Sequence, residues 1–531
     1  MKRTLYLETF GCQMNVLDSE LVLSQLRARG FEQTPHRDSA DVVLFNTCSV
    51  RQHAEQKVWS RLGELRQARR ERPQMVIGVI GCMAEREGTA IFQRFPHVDI
   101  LCGPGELDKL PAMVHNAVIE RELDAVGGYG PEPFDGREDS PIGGTQENGT
   151  GSSRRRQVAL MGASFRRSGT LDAARTDNLE LLDLSRAISP ADGVRQAYVR
   201  ITRGCNKFCT YCVVPYTRGP EVHRPPGNII EEVRRLVGAG AVEVTLLGQT
   251  INHYCYEHGD GRRTTFADLL YQLHEAVPDL PRLRFVTSYP RDFTDQALAV
   301  MRDCRRICRY LHVPAQSGSD RILKAMNRGY STGQYLDFVD RAREFMPDVS
   351  LASDFIVGFP TETDADFAQT VQLLRRCRFK NSFIFKYSPR PGTVAVERFA
   401  DDVPEDVKRR RNNDLLAVQT EICHQNNQAM VGQTVEILVE GASKLVSRRA
   451  SEPAGGVILR WERAPAEADA KVTQLVGRTR GDQVVCFEGD SGWIGRIMQV
   501  RIVDARNLTL FGAPVEQGSG IVPSCHAIPT G

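Results

Sequence analysis

In the N-terminal part of the chain, short apolar runs alternate with stretches whose apolar positions recur at helical spacing. Leu5–Phe10 has the apolar run of a strand, and Ser19–Leu26 has the spacing of a helix. Asp41–Cys48 and Met75–Cys82 repeat the strand pattern, and a helical stretch follows each of them. Strands that alternate with helices predict a parallel sheet covered by helices.

The same alternation returns from Ala197, where helical stretches separate six strand candidates. Six strand-helix units are too few for a closed eight-stranded barrel, so we predict an open, partial (β/α)6 barrel. In complete barrels the chemistry takes place at the carboxyl ends of the strands, and we expect the same here. The candidates are Tyr198–Thr202, Val242–Leu247, Leu283–Thr287, Tyr310–Val313, Ser350–Val357 and Ser382–Tyr387.

After residue 430 the pattern changes to short apolar segments separated by glycine-rich turns, which predicts a small antiparallel β-barrel. The strand candidates are Thr434–Val439, Gly456–Leu459, Gln483–Phe487 and Arg496–Val503. The predicted fold class is therefore α/β multidomain. Its boundaries are 1–128 for the N-terminal domain, 129–190 for an insertion, 191–430 for the partial barrel, 431–513 for the small barrel and 514–531 for a tail.

The insertion at 129–190 is rich in glycine, proline and serine and contains the basic run Arg154–Arg156. This is the composition of a linker, so we predict that the segment is largely disordered and that residues 135–175 are dispensable for both clusters and turnover. The alternative is a basic arm that contacts RNA, and a solvated insertion is the favoured interpretation.

Composition narrows the class of protein. The 531 residues exceed a single core, and 68 basic against 66 acidic residues leave a net charge of +2. A polyanionic partner must therefore be met by a local basic face. The sequence has no signal-peptide pattern and no apolar run of membrane-spanning length, which predicts a cytoplasmic protein without membrane contact. In a reducing compartment its 14 cysteines are metal ligands or buried thiols rather than disulfides.

The sharpest local signal is a CxxxCxxC run, Cys205, Cys209 and Cys212, directly behind the first strand of the predicted partial barrel. Four thiolates would close a structural metal site, but no fourth Cys or His lies at ligand spacing nearby. Three thiolates on a 4Fe-4S cluster leave one iron open to a small molecule. The alternative is a zinc knuckle with a distant fourth ligand, for which His223 is the nearby candidate.

The three predicted strands of the N-terminal domain end in cysteines, namely Cys12, Cys48 and Cys82. The carboxyl ends of parallel strands open onto one edge of a sheet, so we expect these side chains to converge. Cys102 ends a fourth strand candidate and ranks below the other three as a ligand. The alternative is a set of unrelated core residues, because Cys is among the most buried residue types.

The CxxxCxxC run, with the aromatic Tyr211 before its last cysteine, resembles the radical S-adenosylmethionine (SAM) enzymes, in which the open iron of a 4Fe-4S cluster binds SAM. Thr250 departs from the pattern of the methylthiotransferase branch of these enzymes, which usually has Asn at this position. The resemblance implies that SAM is bound by the loops behind the strands, through Tyr211, Gly248, Gln249, Ser288, Gln316, Ser317, Ile356, Gly358 and Glu362.

Gly11–Asn15, Asn46–Arg51 and Gly81–Arg86 resemble the three cysteine motifs of the methylthiotransferases. These radical SAM proteins carry a second, auxiliary 4Fe-4S cluster, which the resemblance places at the three N-terminal cysteines. Within the family, the motif residues are similar to those of the MiaB branch, which methylthiolates isopentenyladenosine in tRNA. The resemblance covers nearly the whole chain apart from the insertion and the tail.

The resemblance implies an enzyme that converts N6-isopentenyladenosine next to the anticodon, at tRNA position 37, to its 2-methylthio derivative. The C2 hydrogen of adenine has no useful acidity, so a positioned acid or base cannot open that position. In the family a 5′-deoxyadenosyl radical made from SAM takes this hydrogen, and the auxiliary cluster supplies the methylthio group. Two rivals stay open: a RimO-like enzyme that modifies an aspartate of a ribosomal protein, and a non-enzymatic, zinc-containing RNA-binding protein.

The implied partners are the tRNA anticodon stem-loop, an electron donor such as flavodoxin or ferredoxin, and a sulfur and cluster-assembly system, with the protein itself a monomer. Gly477–Gly481 and Asn507–Gly512 resemble the TRAM module, an OB-like RNA-binding barrel. There Arg478, Arg480 and Arg496 would contact phosphates, and a solvated basic face is the alternative. Four arginines of the second N-terminal helix also suit phosphate contacts, namely Arg66, Arg69, Arg70 and Arg72.

Overall fold

The computed structural model describes residues 3–49, 52–126, 157–162, 178–186, 193–443, 473–506 and 508–515. The elements of the N-terminal part are β1 (Arg3–Phe10), α1 (Gln13–Ala28), β2 (Phe31–Gln33), β3 (Val42–Thr47), α2 (Gln52–Glu71), β4 (Val76–Ile80), α3 (Cys82–Glu87), α4 (Ala90–Arg94), β5 (Ile100–Cys102), α5 (Leu110–Val126), β6 (Val158–Leu160) and α6 (Asn178–Leu184). The strands form one parallel sheet in the order β2-β1-β3-β4-β5-β6. The predicted parallel sheet is confirmed.

Helices cover both faces of this sheet. Every residue of β3 and β4 is buried, as expected for strands of a parallel sheet between two helical layers. On one face α1 and α5 pack through residues such as Leu21 and Val114, and on the other face α2 packs through Val58 and Leu62. The carboxyl ends of β1, β3 and β4 therefore meet at a single edge.

Part of the insertion has regular structure. Strand β6 extends the sheet by pairing parallel to β5, with Ala159 opposite Leu101, and α6 packs Leu179 and Leu182 into the N-terminal core. A strand of 3 residues and a helix of 7 residues are too short to show a period in the sequence. Residues 157–162 and 178–186 are therefore exceptions within a segment that we predict to be largely disordered, and the dispensability of residues 135–175 stays a prediction.

The elements of the second domain are β7 (Gln196–Arg200), β8 (Thr202–Arg203), α7 (Val214–Thr217), β9 (Val222–His223), α8 (Pro226–Gly238), β10 (Glu243–Leu247), β11 (Cys255–Glu257), β12 (Arg263–Thr265), α9 (Phe266–Ala276), β13 (Arg282–Phe285), α10 (Asp295–Asp303), β14 (Tyr310–His312), α11 (Asp320–Ala325), α12 (Thr332–Phe345), β15 (Ser350–Val357), α13 (Asp364–Cys377), β16 (Asn381–Lys386), α14 (Val394–Arg398) and α15 (Glu405–Gln428). All six predicted strands are present. They form two parallel three-stranded sheets, β13-β10-β7 and β14-β15-β16.

The two sheets meet at a seam, and the barrel is open on the opposite side. At the seam Leu283 pairs with Ile307, and the backbone N–H of Ser288 donates to the carbonyl of His312 at 2.8 Å. In the described part of the chain no ladder joins β7 to β16. The partial barrel is thus split at one place and open at another, which leaves a side entrance to its interior.

Alternate residues of the six strands and their ends point into the barrel and line a cavity. Many of them are polar or charged, and such groups need a partner or solvent at an inward position. The barrel interior is therefore a site for a ligand. The inward residues are Tyr198, Thr245, Leu247, Arg284, Val286, Tyr310, His312, Asp354, Phe383 and Phe385.

The C-terminal strands are β17 (Thr434–Ala442), β18 (Thr473–Thr479), β19 (Val484–Gly489), β20 (Ile497–Arg506) and β21 (Thr509–Pro514). They close a small barrel in the order β17-β18-β19-β21-β20, which confirms the predicted architecture. The strand candidate Gly456–Leu459 lies outside the described residues. The candidates did not include β18 and β21, in which Gly477 and Gly512 interrupt the apolar pattern.

The small barrel sits on the amino ends of the partial-barrel strands. Arg282 Nη2 donates to the carbonyl of Thr479 at 2.8 Å, and Lys380 Nζ pairs with Asp482 at 2.6 Å. The three parts of the chain therefore surround one interior. Within the described ranges, no helix has the length and apolar character needed to cross a membrane.

Candidate active site

One cavity of about 720 Å³ is lined by the N-terminal sheet, the partial barrel and the small barrel. Two sets of cysteines line it. We call them the sheet trio (Cys12, Cys48 and Cys82) and the barrel trio (Cys205, Cys209 and Cys212). The three strand ends converge as expected, and they share their cavity with the CxxxCxxC loop.

The donor set of the cavity differs from that of a single-ion site. Among the described residues, no group of three or more His, Cys, Asp or Glu side chains is arranged to hold one metal ion. Both trios offer thiols alone, and iron-sulfur clusters are held by cysteine thiolates. The donor chemistry of both trios therefore fits such clusters.

Two glycines let the sheet trio come together. Gly11 has a φ of +129°, and a Cβ there would lie 2.4 Å from Cys48 Cβ. Gly81 has a φ of +89°, and a Cβ there would lie 2.4 Å from Asn46 Oδ1. A side chain at either position would meet both an unfavourable backbone conformation and filled space. The glycines of the cysteine motifs are therefore required by close packing.

A buried amide network joins two of the motifs. Asn15 Nδ2 donates to Asn46 Oδ1 at 2.9 Å, and Asn46 Nδ2 donates to Ser19 Oγ at 2.9 Å. Asn15 Oδ1 also accepts a hydrogen bond from Cys12 Sγ at 3.0 Å. All three polar residues are fully buried, so a lost partner would leave an unsatisfied group in the interior. The network fixes the turns that carry the cysteines.

Arg218, from the partial barrel, completes the surroundings of the sheet trio, and no sequence signal pointed to it. Its Nη2 donates to Asp18 Oδ2 at 2.8 Å, and Asp18 also accepts from Arg200 Nη1 at 2.9 Å. The shared carboxylate on α1 thus holds a barrel guanidinium at the cavity wall. A hydrogen bond from the Cys48 thiol, together with the charge of Arg218, lowers the pKa of Cys12 to about 6.

The loop of the barrel trio depends on a close backbone approach. Gly204 has a φ of +71°, and a Cβ there would lie 2.0 Å from the carbonyl oxygen of Pro220. Cys205 Sγ lies 3.7 Å from Thr250 Oγ1. The position that departs from the family pattern therefore contacts a cysteine in this chain.

Arg328 is a second arginine that the sequence did not indicate. Its buried guanidinium donates to Cys209 Sγ at 3.3 Å and to the carbonyl of Pro314 at 3.0 Å. The rings of Tyr289 and Tyr330 flank it, with centroids 4.9 and 5.2 Å from the guanidinium carbon. Its positive charge therefore lies directly beside the sulfur of one member of the barrel trio. Arg328 lies just after α11, and no sequence motif surrounds it. Only its contact with Cys209 in the folded protein identifies it.

Five of the predicted SAM contacts line the cavity. Two of them carry polar atoms that are buried without a hydrogen-bond partner in the described part of the chain, namely Gln249 Oε1 and Ser288 Oγ. Such atoms need a partner from a bound molecule, because an unpaired buried polar group is costly. The loops therefore fit a polar ligand. The five residues are Tyr211, Gly248, Gln249, Ser288 and Gln316.

The other four predicted SAM contacts, Ser317, Ile356, Gly358 and Glu362, do not belong to the cavity lining. Ser317 Oγ accepts from the backbone N–H of Ser319 at 3.2 Å. Glu362 Oε1 accepts from the backbone N–H of Gly358 at 2.9 Å and from an arginine of α15. Ser317 and Glu362 thus hold their loops through these bonds, and the role of the four residues as SAM contacts stays a prediction.

Cys102 is separate from both trios. Its side chain is fully buried in the core of the N-terminal domain, and its Sγ donates to the carbonyl of Glu106 at 3.3 Å. Burial raises the pKa of Cys102 well above its ordinary value. The structure therefore supports the low rank of Cys102 as a ligand.

The predicted phosphate contacts of the small barrel fall into two groups. Arg478 pairs with Glu440 at 3.2 Å, and Arg480 pairs with Glu436 at 3.4 Å. Their backbone carbonyls accept from the partial barrel, so both residues belong to the contact between domains. Arg496, by contrast, is exposed, and the phosphate contacts of all three arginines stay a prediction.

The same distinction applies to the four arginines at the end of α2 and directly after it. Arg69 and Arg72 form ion pairs with aspartates of the N-terminal domain. Arg66 and Arg70 are exposed. Two of the four arginines are thus left to face a polyanion.

Three family models match the chain. The family described as Uncharacterized protein family UPF0004 matches residues 4–103, the Radical SAM superfamily matches residues 199–374, and the TRAM domain matches residues 467–515. Among solved structures, the radical S-adenosylmethionine methyltransferase TsrM from Kitasatospora setae has a TM-score of 0.45 at 15% identity and covers 74% of this chain and 74% of that chain.

Curated relatives match the chain over nearly its whole length. The tRNA-2-methylthio-N(6)-dimethylallyladenosine synthase of Rhodopirellula baltica is 42% identical over 512 residues, which are 96% of this chain and 95% of that protein. The synthase of the same name from Porphyromonas gingivalis is 40% identical over 97% of this chain and 96% of that protein. With this identity over this length, the chain belongs to the family of the tRNA-2-methylthio-N(6)-dimethylallyladenosine synthases.

Proposed function

We propose that this protein is a radical SAM tRNA methylthiotransferase, which converts N6-isopentenyladenosine at tRNA position 37 to 2-methylthio-N6-isopentenyladenosine. The observation that supports this most is the single cavity on which both cysteine trios open. Replacing an unactivated hydrogen by a methylthio group needs one centre that removes hydrogen and another that supplies sulfur. A base held between the two trios is within reach of both.

The residues of the cavity fit two 4Fe-4S clusters and SAM. The barrel trio would hold the cluster that binds SAM, and the sheet trio would hold the auxiliary cluster, with one iron left open in each. The unpaired oxygens of Gln249 and Ser288 suit the polar groups of SAM. When bound, these cofactors supply the radical that removes the C2 hydrogen and the sulfur that replaces it.

The side chains of this chain would bind and orient the cofactors and screen the reacting groups from water. Arg218 and Arg328 each place a guanidinium at one trio, where positive charge offsets the negative charge of thiolates and sulfide. Tyr211 packs against the apolar cluster of Phe359 beneath the barrel trio. Walls from three domains limit the access of water to the reacting groups.

We extend the proposal to the partners and the domain boundaries. The tRNA anticodon stem-loop would approach the small barrel, with Arg496 as a phosphate contact. Reducing electrons would come from a flavodoxin or ferredoxin, sulfur from a cluster-assembly system, and the protein would act as a cytoplasmic monomer. The boundaries stay as predicted, with 129–190 now contributing β6 and α6 to its neighbours.

The proposal is tested with anaerobic, reconstituted enzyme, SAM, reductant and isopentenylated tRNA. We expect 2-methylthio-N6-isopentenyladenosine in the digested nucleosides, detected by mass spectrometry, together with 5′-deoxyadenosine. A tRNA that lacks the prenyl group should react far more slowly, and ribosomal protein should not react. A methylthiolated aspartate without any modified nucleoside would instead favour the RimO-like rival.

A further inference from the structure

Two aromatic side chains are exposed inside the cavity, and neither the cysteine trios nor the SAM loops account for them. Phe383 and Phe385 stand two residues apart on β16, so they share the inward face of that strand. They are 44% and 38% exposed, whereas Ile384 between them packs against the barrel core. Both line the cavity that contains the six cysteines. Large apolar side chains left open in a cavity mark a binding site.

Polar groups border this aromatic pair. Asp354 lies opposite Phe383 in the neighbouring strand, and its carboxylate is 3.0 Å from His312 Nε2. The His312 ring meets the edge of the Phe383 ring at a centroid distance of 6.2 Å. Asn381 Oδ1, on the same strand, is buried without a hydrogen-bond partner among the described residues. Flat apolar faces beside hydrogen-bonding groups match the chemistry of a nucleobase.

The aromatic pair also lies at the side entrance. Strand β16 is an edge of the partial barrel, and no ladder joins it to β7 within the described residues. Leu508, in the turn between β20 and β21, is 58% exposed and lines the same cavity. A base that remains attached to RNA needs an opening to enter the cavity, and Leu508 and the two rings line that cavity together.

We propose that Phe383 and Phe385 are the platform that holds the extruded adenine and its prenyl group between the two cysteine trios. This proposal rests on the proposed function. A base taken out of its stack regains contact on aromatic side chains, and a prenyl chain packs on the remaining ring surface. Stacking of one base on an aromatic residue changes affinity by on the order of tenfold.

The test compares the dissociation constants of a prenylated anticodon stem-loop and its unprenylated twin on anaerobic, reconstituted holoenzyme. We expect wild-type protein to prefer the prenylated RNA by on the order of tenfold or more. In the variant with Phe383→Ala and Phe385→Ala, both RNAs should bind more weakly, and the preference should fall towards one. In the matched variant with Phe383→Leu and Phe385→Leu, the preference should persist while both affinities fall, because apolar area remains and stacking is lost.

Tyr271→Ala is the control, because Tyr271 is 53% exposed on the outer helix α9 and does not line the cavity. It should leave both dissociation constants unchanged. Iron content and the unfolding midpoint establish that the phenylalanine variants are folded. Unchanged affinities and preference in the double alanine variant would overturn the platform. Wild-type protein that prefers the prenylated RNA yet forms no methylthio nucleoside would overturn the proposed function and leave the platform supported.

Discussion

The sheet trio and the barrel trio reach the same cavity by different routes. The barrel trio lies on one loop, which the close approach of Gly204 to Pro220 shapes locally. The sheet trio comes from three strand ends, and it depends on the whole N-terminal sheet and on an arginine of the other domain. Because of this difference, we expect damage to the fold to affect cluster binding at the two trios unequally. Damage in either domain reaches the sheet trio, whereas damage to the sheet should leave the barrel trio intact.

The largest expected effect comes from removing each trio in turn. With Cys205, Cys209 and Cys212 replaced by Ala, we expect about half of the iron and sulfide and no cleavage of SAM, because clusters depend on thiolate ligands. With Cys12, Cys48 and Cys82 replaced, we expect the same loss of iron but retained 5′-deoxyadenosine formation. Anaerobic iron, sulfide and product analysis measures both.

Cys102→Ala is the matched control for this experiment, because it removes a buried cysteine of the same domain that lies outside the cavity. It should keep the full iron content. Full iron in either triple variant would show that its ligands are wrongly assigned.

A second prediction tests the dependence of the sheet trio on the barrel. Arg218→Met, made in protein whose barrel trio is already replaced by Ala, should lose most of the remaining iron, because the buried partner of Asp18 and the charge beside the cysteines are both removed. Arg218→Lys should retain part of it. Arg262→Met, at an exposed arginine of the same domain, is the control. If Arg218→Met retained as much iron as the Arg262→Met control, the sheet trio would not depend on the partial barrel.

A third, smaller effect should come from the buried amide network. Asn46→Ala removes the partner of both Asn15 and Ser19, and we expect the free energy of unfolding to fall by about 1–3 kcal/mol. Urea unfolding of the apoprotein measures it. The exposed Gln56, changed to Ala, should stay within about 0.5 kcal/mol of wild type. The barrel trio of this variant should still bind its share of iron. Loss of that iron would show that cluster binding at the two trios is coupled.

The smallest expected effect separates the arginines of the small barrel. Arg496→Ala should weaken tRNA binding and lower the slope of log affinity against log salt by about one, as for the loss of one phosphate contact. Arg480→Ala should leave that slope unchanged, because its charge is paired with Glu436. Binding titrations at several salt concentrations distinguish the two. A slope that falls only for Arg480→Ala would reverse the assignment.

The sequence predicts the fold well where the pattern is long or the spacing is fixed. The CxxxCxxC spacing identified the barrel trio directly, and strand ends in a parallel sheet predicted the meeting of Cys12, Cys48 and Cys82. Residues that act across the fold left no such signal. Arg218 and Asp18 lie 200 positions apart, and Arg328 and Cys209 lie 119 apart, so only folding brings each pair together.

Some features escape the sequence for a local reason. Ser317 and Glu362 lie in the loops where SAM contacts are predicted, and the sequence could not show that their side chains also hold these loops by hydrogen bonds. Strand β6 and helix α6 are too short for a period to appear. Arg478 and Arg480 have the charge of phosphate contacts, but the acidic residues that pair with them come from another strand of the same barrel.

We infer that one base lies within reach of both trios, and the fate of its C2 hydrogen shows whether it does. A prenylated anticodon stem-loop with deuterium at C2 of adenine 37 is incubated with reconstituted enzyme, SAM and reductant, and the products are analysed by mass spectrometry. We predict one deuterium in 5′-deoxyadenosine for each methylthio nucleoside formed. Deuterium that stays in the RNA, or methylthio product whose 5′-deoxyadenosine carries no deuterium, would contradict a shared site.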